Sequence, residues 1–116
     1  MDRSTAGITN WMHMFRWIVK LIRDEYGIPE DKLTRNAVIE TDIGLNAEQL
    51  EEVLGVIAGA FEVRFPDGTL DELVRLEELC VLSSWLAGFY KQPPFLGAGY
   101  VTAAKAVNPR ASAEAG

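Results

Sequence analysis

The run DIGLNAEQLEEVLGVIAGAFEVRFPD, residues 42–67, decides the fold. Within it Leu50, Val53, Leu54, Ile57 and Phe61 recur at three-to-four spacing, the period of a helix with one buried face. Asn46 stands before that stripe as an N-cap, and Gln49, three residues on, completes a capping box that satisfies the orphan N–H groups of the first turn. Glu48, Glu51 and Glu52 share the solvated face. Gly55 and Gly59 lower helix propensity by up to about 1 kcal/mol each, which predicts that close packing against a neighbour compensates. The helix ends near Phe61. Glu62 to Phe65 reads as extended, because Pro66 disfavours helix in the residue before it, and Pro66-Asp67-Gly68 is a turn.

Toward the N-terminus, Trp11, Phe15, Ile18, Ile22 and Tyr26 form a second helical stripe, widened by Met14, Trp17 and Leu21. Gly27 and Pro29 stop it. Residues 28–40 lack a helical period and read as a long ordered loop anchored by Ile28, Leu33, Val38 and Ile39. Toward the C-terminus, Thr69 is placed to cap a short helix through Leu73 and Val74. From Leu76 a last helix carries Leu79, Cys80, Leu82, Ser83, Leu86, Phe89 and Tyr90, and Gln92-Pro93-Pro94 ends it. The remainder is rich in Gly, Ala, Ser and Pro and predicts a flexible tail in preference to an ordered extra helix from Val101 to Val107. The expectation is an all-α domain of three main helices and one short one over residues 11–91, with an N-terminal extension at 1–10 and a tail at 92–116.

The chain has 116 residues, the size of one domain, and one Cys, so no disulfide framework exists. Its net charge of -6 is unevenly spread: residues 1–39 carry +1, residues 40–79 carry -9 and residues 80–116 carry +2. Nucleic acid and anionic membrane surfaces are poor partners for such a field, and the favoured partner is basic. The apolar stretch from Trp11 to Ile22 is broken by His13, Arg16 and Lys20, so it reads neither as a targeting signal nor as a membrane span. A reducing, cytoplasmic setting is the corresponding expectation.

Catalytic chemistry finds little support. His13 has no carboxylate near it in sequence. Cys80 lies on the apolar side of the last helix beside Glu77 and Glu78, the opposite of what activates a thiol. The paired carboxylates Glu51-Glu52, Asp71-Glu72 and Glu77-Glu78 fit solvated helix faces. No phosphate loop, dinucleotide turn or Cys/His metal cluster is present. The sequence reads as a non-enzyme without a metal site.

The order of elements is more specific. A long loop ends in Asp42-Ile43-Gly44, an acidic helix follows at once, and Phe61-Glu62-Val63-Arg64-Phe65-Pro66-Asp67 leads to a short and then a final helix. In this the chain resembles the acyl carrier protein family from about Phe15 to Phe89, including the Gly27-Ile28 junction. In that family the loop closes with Asp-Leu-Gly, Asp-Ser-Leu opens the second helix, and the helix ends in a Glu-Phe segment running to Ile-Pro-Asp. The resemblance implies the carrier bundle. It also implies a serine bearing phosphopantetheine, and here the matching positions are Asn46, Ala47 and Glu48. Alanine has no hydroxyl to form the phosphodiester, so no phosphopantetheine attaches at Ala47. The flanking Asp and Leu have changed as well, which favours a naturally serine-less homologue over a single laboratory substitution. Ser83 and Ser84 lie inside the last helix and are poor substitutes.

What the resemblance leaves is a recognition surface. Asp42, Asn46, Ala47, Glu48, Glu51 and Glu52 stand where carriers meet the basic patches of their enzymes. Carboxylates near a helix N-terminus gain about 0.3 to 1 kcal/mol each from the helix dipole and steer encounter with a cationic surface. The implied role is an accessory protein docking on an enzyme of fatty acid, polyketide or lipid assembly, or on one that recruited the fold as a subunit. Its rivals are a working carrier whose serine was replaced and a helical protein-binding adaptor unrelated to carriers. A core that opens for an apolar ligand is a further, weaker reading. Trp11, Met12 and Met14 serve either the core or a contact with a partner or a second copy.

Overall fold

The computed structural model describes Thr5 and residues 7–111. The remainder of the N-terminal extension (residues 1–4 and 6) and the last residues of the tail (112–116) lie outside the described residues. Among the described residues five α-helices form, α1 (Trp11–Tyr26), α2 (Ala47–Phe61), α3 (Thr69–Glu72), α4 (Leu76–Leu86) and α5 (Ala98–Val107), with a 3-10 turn at Glu30–Lys32. Among the described residues there is no strand, only one isolated antiparallel bridge between Val38 and Arg75. The class is all-α.

Local chemistry accounts for α1 and α2. Asn10 accepts a hydrogen bond from the His13 N–H at 2.9 Å to open α1, and Gly27 closes it at φ 66°. Asn46 and Gln49 form the reciprocal capping box of α2. α4 is buried on nearly every side, with Leu76, Leu79, Leu82, Trp85 and Leu86 all fully enclosed, and α1 packs along it through Met14, Ile18, Leu21 and Ile22. Such all-round burial marks the centre of the core. α2 adds Leu50, Val53, Leu54, Ile57 and Phe61, whose ring meets Trp17 edge-on at 4.9 Å.

The connection from α1 to α2 is ordered by pairing with the α3–α4 junction. Ile39 N–H donates to the Val74 carbonyl at 2.8 Å, while Leu76 and Glu77 N–H groups donate to the carbonyls of Ala37 and Arg35 at 2.9 Å. A single wide turn over Ile39–Ile43 then brings the chain to Gly44 at φ 88°.

Four local readings are corrected. α4 stops at Leu86 and does not reach Tyr90, because Gly88 takes φ 89° and turns the chain before the prolines. Thr69 is not the cap of α3 but its first residue: the N-cap is Gly68, and the Thr69 hydroxyl donates to the Pro66 carbonyl at 2.6 Å. Glu62 is not extended but left-handed (φ 57°), closing α2. In place of a flexible tail the structure has α5, docked on residues 61–72. The Thr69 and Tyr100 hydroxyls lie 2.7 Å apart, Gly97 N–H donates to Glu72 Oε1 at 2.7 Å, and Arg110 donates to the carbonyls of Phe61 and Glu62. Pro93, Tyr100, Ala104 and Asn108 are buried.

No helix among the described residues is long and apolar enough to cross a membrane.

Candidate functional site

The start of α2 is built from the capping box. Asn46 Oδ1 accepts from the Gln49 N–H at 2.8 Å, and Gln49 Oε1 accepts from the Asn46 N–H at 3.0 Å. Both polar side chains are spent on the backbone. Ala47 is therefore presented at the first helical position as a bare, exposed methyl group. Just upstream, Asp42 Oδ2 accepts from the Val38 N–H at 2.9 Å, which holds the wide turn and removes part of that carboxylate's capacity for a partner.

The three glutamates of the site divide between two directions. Glu52 accepts a 2.7 Å hydrogen bond from the Tyr26 hydroxyl at the end of α1. Burial, followed by that bond and the charges of Glu52 and Glu25, pushes Tyr26 up to about 12. Glu48 and Glu51 are exposed and make no ion pair among the described residues. Of the six positions read as a docking surface, Asp42, Asn46 and Glu52 are thus engaged within the chain, while Ala47, Glu48 and Glu51 are exposed and make no side-chain bond to another described residue.

Two clefts open along α2. One, of about 340 Å³, is lined by Ile39, Leu45, Ala47, Leu50, Leu73 and neighbours; the other, of about 530 Å³, by Glu51, Leu54, Gly55, Ala58 and the Phe65–Asp71 segment. Asp67 and Asp71 join Glu51 on the larger cleft. These two aspartates and the cleft itself were not legible in the sequence, because residues sixteen to twenty positions apart meet only after α3 folds back on α2. Gly55 and Gly59 do not mark a close-packed contact: both are exposed, and a Cβ added at either meets nothing within 4 Å. No close packing within the chain compensates for them.

The other candidates are accounted for by packing. Met14 is fully buried, and Trp11 lies under the Arg35 guanidinium at 4.8 Å and beside Tyr90, so Met12, 51% exposed, is the one member of that trio left free for a contact. Cys80 is fully buried, and burial, with a smaller push from Glu77, raises its thiol far above the reactive range. The Ser84 hydroxyl donates to the Cys80 carbonyl at 2.7 Å, and Ser83 is equally buried. The His13 ring is 3.5 Å from the backbone N–H and hydroxyl of Thr9. No group of three or more His, Cys, Asp or Glu side chains able to hold a metal ion is present among the described residues.

No protein-family model, no curated protein and no solved structure matches the chain.

Proposed function

We propose that the chain is an acyl-carrier-like accessory protein that bears no phosphopantetheine arm and acts by docking the acidic start of α2 on a basic surface of a partner enzyme. The observation that carries this reading is the finished helix start: Asn46 and Gln49 close on each other, and the exposed Ala47 offers no hydroxyl beside the unpaired Glu48 and Glu51. A long tethered loop, an acidic helix, a one-turn helix and a core helix follow one another in the order the resemblance implies. That order supports the carrier-like bundle. The partner works on fatty acids, polyketides or lipids, or has recruited the fold as a subunit, and binding weakens as salt screens the carboxylates.

Incubation with coenzyme A and a broad-specificity phosphopantetheinyl transferase, followed by intact-mass measurement, tests the reading. The wild-type mass stays unchanged; an added arm anywhere on the chain would favour a working carrier instead.

A further inference from the structure

Ala47, Leu50, Glu51, Leu54, Gly55 and Ala58 follow one another at three-to-four spacing, so a single face of α2 lines both clefts. The clefts also share Leu70 and Asp71 on the opposite wall, which makes them two parts of one groove. Its length along α2 is about 17 Å at 1.5 Å per residue. Buried Leu50 and Leu54, with half-buried Phe65 and Leu70, provide an apolar floor. Glu51 on the α2 side and Asp67 and Asp71 on the facing side make both rims anionic, and none of these three carboxylates pairs with another described residue. At Gly55 the helix gives up intrinsic stability with no neighbour to justify it inside the chain, and the missing side chain leaves the groove open.

We infer that this groove seats a segment of a partner protein in which Lys or Arg side chains flank an apolar anchor. The inference rests on the docking reading above and adds the groove and the chemistry of its occupant. The apolar anchor covers the floor between Leu54 and Leu70, and the cations pair with Glu51, Asp67 and Asp71. A fatty acid is the wrong occupant, because its carboxylate would face three others. A second copy of this chain would have to use Arg16, Lys20, Lys32, Arg64 or Lys105, since Arg23 and Arg35 are committed to Glu30 and Glu77 and Arg75 and Arg110 to backbone carbonyls; that occupant is an outcome of the test below.

The test uses the full 15N-labelled chain and two synthetic fifteen-residue peptides, one with Leu and Lys at helical spacing and one with Leu and Glu. The Leu/Lys peptide shifts the amide signals of Gly55, Ala58, Gly68 and Leu70, and the Leu/Glu peptide leaves them unmoved. Gly55→Leu, which fills open space and raises the thermal midpoint, weakens the Leu/Lys peptide at least tenfold. The double variant Asp67→Asn/Asp71→Asn weakens it several-fold and flattens its salt dependence. Glu48→Lys with Glu52→Lys, on the outer ridge of α2, separates the two readings. Loss of affinity there with none in Gly55→Leu overturns the groove and leaves acidic docking standing. Loss in Gly55→Leu with none in the ridge variant supports the groove and overturns docking through the ridge. Unchanged affinity in both, or no groove shifts with the Leu/Lys peptide, overturns the inference, and self-association of the free chain overturns the choice of another protein as occupant.

Discussion

Asn108 grips Arg64 by its backbone from both sides: its Oδ1 accepts from the Arg64 N–H and its Nδ2 donates to the Arg64 carbonyl, each at 2.8 Å. The same Nδ2 donates to the Ala104 carbonyl at 2.8 Å, which ties the end of α5 to itself. The buried amide thereby replaces a strand partner for the short segment between α2 and α3. Asn108→Ala leaves the Arg64 groups without partners, and the cost is about 3 kcal/mol. Urea unfolding followed by circular dichroism checks it; a change under about 0.5 kcal/mol would mean that α5 contributes nothing to the core.

Glu62 closes α2 in the left-handed region, where a side chain costs about 1 kcal/mol and glycine little. Its side chain is exposed, and Arg110 holds the backbone carbonyl rather than the carboxylate. Glu62→Gly is expected to raise stability by about 0.5 kcal/mol, the relief of strain outweighing the added freedom of the unfolded chain. The midpoint of thermal unfolding reads the sign.

Ser83 is fully buried and its hydroxyl has no hydrogen-bond partner among the described residues. Burying such a group costs about 1 to 3 kcal/mol, so Ser83→Ala stabilises the chain by about 1 kcal/mol after the small loss of volume. Ser84→Ala removes a bond to the Cys80 carbonyl and moves stability the opposite way. A double comparison by chemical denaturation separates the two serines.

Tyr26 holds its proton more tightly folded, at about 12, than in the unfolded chain, whose value is 10.0. Stability is therefore fully present below pH 10 and declines as the pH rises toward 12, since the unfolded chain releases the proton first. Tyr26→Phe removes this component of the alkaline loss. The measurement is the unfolding midpoint across that pH window, alongside the 295 nm absorbance titration of the tyrosines.

α1 and α2 were legible because their signals are local. Asn46 sits one turn before the apolar stripe that begins at Leu50, and Gly27 follows the stripe that ends at Tyr26. Capping energies and helical periodicity need no knowledge of the rest of the chain. α5 lacked such signals: its buried residues are Tyr100 and Ala104, too few to mark a stripe, and its attachments reach Thr69, Glu72 and Arg64, twenty-five or more residues away. The end of α4 is hidden in the sequence for a related reason, since the apolar Phe89 continues the stripe while lying beyond the helix, where it packs on Phe61.

The sequence by itself determined the helical class and the capped and acidic start of α2 with its alanine at position 47, all set by residue identity and short spacing. Only the tertiary structure decided that Glu52 turns to Tyr26 while Glu51 joins Asp67 and Asp71 on a groove. It also decided that Gly55 opens outward instead of packing inward. These depend on how α1 and α3 sit against α2, through contacts between residues far apart in the chain whose pairing no local propensity encodes.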